Sequence, residues 1–294
     1  KETAQKYNLR TISDLSIVSK ELIFSPTLVF MERTDCWLGL QKAYPIAFKD
    51  VIALDGAPRY LALMNKERVD EELKVELMKR MNCRYITIFS DEYPELLKQI
   101  NCPPFVLYYY GDLSLLKTKT IGVVGMRNMS EYGKRATHLF VKDLVQNGYT
   151  IVSGMARGID TVAHQNAIAY GGRTIAVLGT GIEYCYPKEN RLLYEELKEH
   201  QLVLSEYPFL TAPQKRLFPF RNRIIAGLSY SILISEAKQK SGTMITAGYA
   251  LEQGKDIYCI PGRFDDYQGC NELIKQGAKL VLSAQDIMED EDYG

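Results

Sequence analysis

The fold class of this chain follows from residues 218–262, which read FPFRNRIIAGLSYSILISEAKQKSGTMITAGYALEQGKDIYCIPG. The run at 231–235 is apolar and partly β-branched, which is typical of a buried strand. The turn Ser241-Gly242-Thr243 then opens a helical stretch, and residues 257–260 form a second apolar strand. This segment predicts a strand–helix–strand unit of an α/β protein. The free N–H groups at the start of such a helix attract anions.

Positive charge is concentrated in and just before this segment. Between Leu210 and Lys240 there are six cations and one anion, Glu236, in a chain whose net charge is zero. The cations are Lys215, Arg216, Arg221, Arg223, Lys238 and Lys240. A local positive patch on a neutral protein indicates a site for a polyanion. A solvated basic loop is the alternative, but the glycine-rich turns described below favour the site.

Length and composition indicate a globular protein. The chain has 294 residues, of which 46% are hydrophobic and 24% charged, which favours two folded domains over disorder. It contains no apolar run of membrane-spanning length and no signal-peptide pattern, so we expect a cytoplasmic protein that makes no membrane contact. Its six cysteines lie far apart and are predicted to be reduced. Its three histidines have no metal-ligand spacing, so we expect no metal site.

Residues 1–82 are predicted to form a small, mainly helical domain. The clearest helix covers residues 69–81, where Leu73, Leu77 and Met81 recur every four residues. A turn is predicted at residues 53–58, and the segment around Trp37 has no clear pattern. We find no catalytic or binding motif here, so we interpret this domain as a packing or protein-contact module.

Residues 83–294 are predicted to form the second domain. Strand-like and helix-like segments alternate from Lys119 onward, a pattern that predicts a doubly wound, mostly parallel sheet. The strand-like runs are residues 120–124, 149–152, 174–178, 202–204, 231–235 and 257–260. Two further strands are predicted before them, at residues 84–89 and 105–110.

Glycine-rich turns follow four of these strands. The turns are Gly125-Met126-Arg127, Ser153-Gly154, Gly179-Thr180-Gly181 and Ser241-Gly242-Thr243. In doubly wound sheets, ligands bind beyond the carboxyl ends of the strands. Four marked strand ends therefore predict a shared anion-binding edge.

The common nucleotide-binding motifs are missing from these turns. The first turn lacks G-x-G-x-x-G, and Ser153-Gly154 stands where a ribose-binding acid is expected, which disfavours a dinucleotide. A P-loop is also missing, so we expect no cofactor. A basic, glycine-lined edge with aromatic neighbours suits single-stranded nucleic acid, whose phosphates attract cations and whose bases stack on rings.

Several motifs, over about residues 85–288, resemble those of the DNA-processing protein A family, also called Smf. They are Gly125-Met126-Arg127, the runs at 152–160, 174–181, 218–227 and 241–247, Tyr186-Pro187, and Ile260-Pro261-Gly262. The resemblance implies an extended Rossmann-like domain and a SAM-like N-terminal domain. It also implies a protein without catalytic activity that binds single-stranded DNA and helps to load the RecA recombinase during natural transformation.

The resemblance and the predicted sheet edge together give a set of DNA contacts. They are Gly125, Met126, Arg127, Lys188, Phe220, Arg221, Asn222, Arg223, Lys240, Ser241, Gly242 and Thr243. Met126 stands where the family usually has a serine, which removes one hydroxyl donor. Phe220, Tyr184 and Tyr186 are candidates for stacking on a base; the alternative is that these rings only pack against the protein and cover the sheet edge. Glu206 and Glu236 could be catalytic, but we interpret them as partners for Arg221 or Arg223.

The C-terminal part of the chain contains a candidate dimer interface. Residues 271–276 form a short amphipathic helix, followed by an apolar run at 280–282, and exposed apolar stripes mark partner surfaces. The resemblance also implies dimerisation through this end of the domain. We expect a homodimer that uses Ile274 and Leu280; the alternative is that both residues are core.

Two other functions remain open at the level of sequence. Ser241-Gly242-Thr243 with Glu252 resembles part of the signature of nucleotide N-glycosidases, which release the base from a nucleoside monophosphate. A non-catalytic nucleotide sensor would instead bind mononucleotides tightly without affinity for DNA.

Overall fold

A computed structural model of the chain describes residue 7 and residues 11–24, 46–48, 50–51, 71–264 and 269–292. The chain divides into two compact units, residues 1–70 and residues 71–294. The turn predicted at residues 53–58 and the segment around Trp37 lie outside the described residues.

The smaller unit contains one short helix, α1 (Ile12–Val18), in its described part. A capping box starts it, because Thr11 Oγ1 accepts the Asp14 N–H and the Asp14 carboxylate accepts the Thr11 N–H. A 3₁₀ turn at Ser19–Glu21 follows. Strands β1 (Ile23–Phe24) and β2 (Asp50–Val51) then pair in parallel. The described part of this unit is therefore mixed in secondary structure.

The larger unit begins with α2 (Glu71–Arg80), the helix that was predicted over residues 69–81. Its described residues form a sheet of nine strands. The strands are β3 (Arg84–Thr87), β4 (Val106–Gly111), β5 (Thr120–Gly125), β6 (Thr150–Ser153), β7 (Arg173–Leu178), β8 (Leu202–Ser205), β9 (Ser231–Glu236), β10 (Asp256–Cys259) and β11 (Lys279–Leu280). Their order is β11-β10-β9-β5-β6-β7-β8-β4-β3. Only the β8–β4 and β4–β3 pairs in this sheet are antiparallel.

Helices cover both faces of the sheet. After α2, the helices in the described chain are α3 (Glu95–Lys98), α4 (Glu131–Gln146), α5 (Ile159–Ala169), α6 (Arg191–His200), α7 (Leu217–Gly227), α8 (Gly242–Glu252), α9 (Gly269–Lys275) and α10 (Ala284–Asp292). Short 3₁₀ turns lie at Leu113–Lys117 and Lys188–Asn190. In β9, Ile232 and Ile234 pack with residues of α7 and α8, whereas Leu233 packs with residues of α4 and α5. Burial on both faces explains why the strands are continuous apolar runs.

The chain reverses direction across the sheet between β5 and β9. From β5 it adds β6, β7 and β8 on one side, and then returns to place β9 and β10 on the other side. This order confirms the predicted doubly wound, mostly parallel α/β fold. It also brings the carboxyl ends of β5 and β9 together, with Gly125 opposite Glu236. Such a switch point is where open α/β sheets bind ligands.

Candidate functional site

A cavity of about 530 Å³ opens where β5 and β9 end. The loop after β5 and the first turns of α7 and α8 line it. Eight of the predicted contact residues lie in its wall: Gly125, Met126, Arg127, Arg221, Asn222, Ser241, Gly242 and Thr243. Because they come from three separate parts of the sequence, only the doubly wound topology brings them together.

The loop after β5 is held against the start of α5. The Ile159 N–H donates to the Met126 carbonyl at 3.1 Å. Gly158 has φ = 78°, and a Cβ atom there would lie 2.2 Å from the Met126 carbonyl oxygen. A glycine is therefore required, because both the backbone conformation and the close approach exclude a side chain. This contact fixes the backbone next to Arg127, whose exposed guanidinium lies 5.7 Å from the centre of the Phe218 ring.

Arg221 is a buried structural cation as well as part of the wall. Only 3% of the residue is exposed, and its guanidinium donates to the Gly154 carbonyl at 2.6 Å and to the Val177 carbonyl. Since these carbonyls lie at the ends of β6 and β7, Arg221 ties the two strand ends together. Burial lowers the pKa of Arg221 to about 10. It remains charged at neutral pH.

Asp160 is the anion that accompanies this cation. It is buried in α5, accepts the Ala156 N–H at 3.3 Å, and lines the cavity. Burial raises the pKa of its carboxyl to about 6, although the positive charge of Arg221 acts in the opposite direction. The wall of the cavity therefore contains one carboxyl that titrates close to neutral pH.

The start of α8 provides backbone donors. Ser241 is its N-cap, in an extended conformation, and its hydroxyl donates to the Lys238 carbonyl at 2.9 Å. The N–H groups in the first turn of a helix have no intrahelical acceptor, and the helix dipole adds positive potential there. The Asn222 side chain donates to the Gly242 carbonyl at 3.3 Å, which connects α7 to this turn. The arrangement suits a phosphate group.

A smaller cavity of about 110 Å³ adjoins the first one. Arg127, Asn128, Ala156 and Phe218 line both cavities. The remaining residues in the wall of the smaller cavity are Gly154, Arg157, Tyr186 and Pro187. Lys188, the residue after Pro187, is exposed but is not part of the wall.

Three of the other predicted contacts also lie outside both walls. Arg223 is buried and forms a two-pronged ion pair with Glu206, with N–O distances of 2.8 and 2.5 Å. Phe220 lies beneath this guanidinium, whose central carbon is 3.7 Å from the ring centre. Lys240 is exposed and lies outside the wall. Lys238, two residues earlier, lines the larger cavity instead.

The two glutamates differ in their partners. The interpretation of Glu206 as a partner of Arg223 is confirmed. Glu236 instead accepts the Ser130 N–H at 2.9 Å and the Ser130 hydroxyl at 2.6 Å, so its carboxylate lies at the N-terminus of α4. Its expected pairing with Arg221 or Arg223 does not occur. Neither carboxylate is among the residues that line the two cavities.

The set of predicted contacts left out several residues of the wall, among them Phe218, Lys238 and Asp160. Helical periodicity could have identified the first. Within α7, residues 218, 221, 222 and 225 follow the spacing of one helix face, and all four line the cavity. The run FPFRNRII was assigned no helix from sequence, so Phe218 was not distinguished from Phe220. Lys238 belongs to the cluster of cations noted in the sequence, whereas Asp160 carries no comparable local signal.

The remaining predicted residues lie away from the cavity. Glu252 is the exposed last residue of α8, which places it about 15 Å along the helix axis from Gly242. Ile274 is half-buried against the core. Leu280 is 49% exposed on β11, at one edge of the sheet.

Comparison with known proteins identifies the family. The model of a family described as DNA recombination-mediator protein A matches residues 84–292, which contain every wall residue of both cavities. The chain belongs to this family. The resemblance inferred from the motifs is thereby confirmed.

Relatives and solved structures agree with the assignment. The chain is 47% identical to DNA processing protein DprA of Bacillus subtilis over 70% of each chain. It is 40% identical to protein Smf of Synechocystis, over 84% of this chain and 64% of that protein. The structure of DprA from Streptococcus pneumoniae matches with a TM-score of 0.71 at 43% identity, over 76% of this chain and 78% of that chain.

A further match is DNA processing protein A of Helicobacter pylori, whose structure was described for its single-stranded DNA binding mode. It has a TM-score of 0.65 at 32% identity and covers 70% of this chain and 95% of that one. Separately, no helix in the described part of this chain has the length and apolar character that a membrane crossing requires. The five cysteines within the described residues are free thiols.

Proposed function

We propose that this chain is a single-stranded DNA-binding recombination mediator whose DNA site is the cavity where β5 and β9 end. One observation carries the proposal: a cation, a helix N-terminus and an aromatic ring converge there. They are Arg127, the first turn of α8 and Phe218.

Each of these groups matches a part of a single strand. The guanidinium of Arg127 and the N–H groups of Gly242 and Thr243 bind phosphate oxygens. The ring of Phe218 offers a face on which an unpaired base stacks. Base faces are accessible in a single strand and hidden in a duplex, so the site favours single strands. Every base has such a face, so binding is largely independent of sequence.

Arg127 provides the test, because it is exposed and its removal leaves no buried charge unpaired. We expect Arg127→Ala to weaken binding of an oligothymidylate about tenfold. The slope of log affinity against log salt concentration should fall by about 0.7 for one lost phosphate contact. Fluorescence anisotropy at several salt concentrations measures both quantities.

Arg173→Ala is the matched control, because Arg173 is also exposed but is the first residue of β7. It therefore lies at the amino ends of the strands, on the side of the sheet opposite the cavity. It should leave affinity and salt slope unchanged. If the Arg127 and Arg173 variants bind alike, DNA is bound elsewhere on the protein.

The family description, a recombination mediator, supports a further step. We propose that the chain acts in the cytoplasm as a homodimer and helps to load RecA onto incoming single strands during natural transformation. On strands coated with single-stranded DNA-binding protein, it should shorten the lag before RecA hydrolyses ATP. If the lag is unchanged while DNA binding is intact, the chain does not load RecA, but the proposed DNA site still stands.

The proposed function includes no catalytic step and no membrane contact. The glycosidase alternative needs Glu252 near the turn at Ser241, whereas the two residues lie at opposite ends of α8. Incubation with nucleoside monophosphates should release no free base. Release that disappears in Glu252→Gln would establish the alternative.

A further inference from the structure

We infer that the smaller cavity, beside Tyr186, is a second nucleobase subsite. It takes the base of the nucleotide next to the one in the larger cavity. This inference rests on the proposed function, since it divides one DNA site into two adjoining positions.

The partition between the two cavities is built from Phe218 and Arg127. Both residues line both cavities, and the guanidinium of Arg127 lies 5.7 Å from the centre of the Phe218 ring. On the side of the smaller cavity, the Tyr186 ring lies 5.2 Å from the Phe218 ring, centre to centre, with 34° between the planes. A strand that occupies both cavities therefore has to pass this partition between one nucleotide and the next.

The chemistry of the smaller cavity suits a base better than a phosphate. Tyr186 is 44% exposed, and with Pro187 and Phe218 it gives the wall an aromatic and apolar side against which a base can stack. The cation that belongs to this wall alone, Arg157, is already paired with the carboxylate of Glu189. Asn128 adds an amide that can bond to the edge of any base. In the larger cavity, by contrast, the helix N-terminus favours a phosphate.

This division explains a preference for single strands in more detail. Two neighbouring bases on opposite sides of the Phe218 partition cannot stack on each other. A single strand loses little when two bases separate, whereas a duplex would have to break base pairs as well. The partition therefore excludes paired DNA by its geometry.

The test is a comparison of two strands on three proteins. The strands are an oligothymidylate and a strand of the same length with abasic sugars throughout, and the proteins are the unmodified chain, Tyr186→Ala and Tyr186→Phe. The unmodified chain should bind the oligothymidylate more tightly, and Tyr186→Ala should reduce that ratio by about fivefold or more. Tyr186→Phe keeps the ring and should retain the ratio.

Tyr230→Ala is the control, because Tyr230 is 54% exposed and lies before β9, at the amino edge of the sheet. It should leave the ratio unchanged. The inference is overturned if Tyr186→Ala weakens both strands equally or weakens neither. In that outcome the dependence on Arg127 would still stand, so the proposed DNA site would survive. If the unmodified chain binds neither strand, the proposed function and the subsite both fail.

Discussion

Arg221 and Asp160 show how one pair of side chains can both build a site and set its charge. The arginine is buried and donates to the carbonyls of Gly154 and Val177, so it holds two strand ends in place. The aspartate is buried beside it and lines the same cavity. Removing either partner leaves an uncompensated charged group, which is costly in a protein interior.

The first prediction concerns the structural role of Arg221. Arg221→Ala should lower the free energy of unfolding by about 3–5 kcal/mol, because it leaves a buried acid and two strand-end carbonyls without their partner. Urea denaturation measures the change. Arg127→Ala, at an exposed position, should change stability by less than about 1 kcal/mol. Equal stabilities of the two variants would mean that Arg221 does not tie the strand ends together.

The second prediction follows from the raised pKa of Asp160, about 6. Above that pH the carboxylate is ionised and repels phosphate, so affinity for single strands should fall as pH rises from 5 to 7. A single negative charge in the wall is worth about 1 kcal/mol, or about fivefold in affinity. Asp160→Asn should keep, from pH 5 to pH 7, the affinity that the unmodified chain has at pH 5. A variant that keeps the pH dependence would exclude Asp160 as its source.

The same pKa predicts a change in stability with a definite sign. The folded pKa lies above the ordinary value of 3.8, so the folded chain binds more protons than the unfolded chain between about pH 4 and pH 6. The contribution of Asp160 to stability is therefore complete below about pH 4 and is lost as pH rises through about 6. Asp160→Asn removes this contribution. The difference in the free energy of unfolding between the variant and the unmodified chain should therefore change between about pH 4 and pH 6.

The contacts of single side chains were harder to predict from sequence than the strands and helices. Arg127 and the turns at Gly125 and Ser241 lie in the cavity, as expected from the apolar runs that locate strand ends. Of the other two predicted turns, Gly154 lines only the smaller cavity, and residues 179–181 line neither.

Arg223 and Phe220 were also expected at this site, but α7 turns these two side chains toward Glu206 and each other. Neighbours in a helix point in different directions, so proximity in sequence did not imply a shared site.

At the scale of elements, α8 is the part that most directly joins structure to function. The predicted turn and helix are present, and the helix begins at Gly242, in the wall of the cavity. A Cβ atom at Gly242 would meet no other atom within 4 Å, so side chains can be introduced there without steric conflict. The helix start can therefore be given a charge without disturbing the fold.

The third prediction uses this position. Gly242→Asp places a carboxylate in the first turn of α8, where it interacts favourably with the helix dipole by about 0.3–1 kcal/mol. It should therefore raise or preserve the melting temperature while weakening binding of single strands by at least about tenfold, since it repels phosphate. Gly242→Ala is the control and should bind normally. Normal binding by both variants would exclude the start of α8 from the site.

The sequence predicted most elements of the larger unit well. All six strand-like runs predicted after Lys119 are strands, with ends that differ by no more than one residue. They were recognisable because strands buried on both faces are uninterrupted apolar runs. The helix α7 was not predicted, since it begins with an aromatic and proline-rich run and contains two buried arginines. The helix is held by tertiary contacts that sequence does not reveal, which include the polar contacts of those arginines and the core packing of Ile224 and Ile225.

At the scale of the whole molecule, the sheet has two different edges. The antiparallel pair β4 and β3 forms one edge, and the short parallel strand β11 forms the other. On β11, Leu280 is 49% exposed, and Leu282, just after it, is 74% exposed. Exposed leucines at an open strand edge are suited to contact with a second copy of the chain. Ile274 packs against the core and is less accessible.

The fourth prediction is that this edge is the homodimer interface. The unmodified chain should sediment as a dimer at tens of micromolar, about the range of a weak interface. Leu280→Glu should be a folded monomer. The control is Leu192→Glu, because Leu192 is 87% exposed on α6; this variant should remain dimeric. A monomeric unmodified chain, or a dimeric Leu280→Glu variant, would contradict the assignment.

The location of the DNA site can be measured by photo-crosslinking. A single strand that contains 5-iododeoxyuridine is irradiated with the protein, and the crosslinked residues are identified by mass spectrometry. Crosslinks should fall on Phe218 and Tyr186, the aromatic residues in the walls of the two cavities. Tyr230, at the amino edge of the sheet, should remain unmodified. Crosslinks at Tyr230 or on another face, with none at Phe218 or Tyr186, would contradict the proposed site.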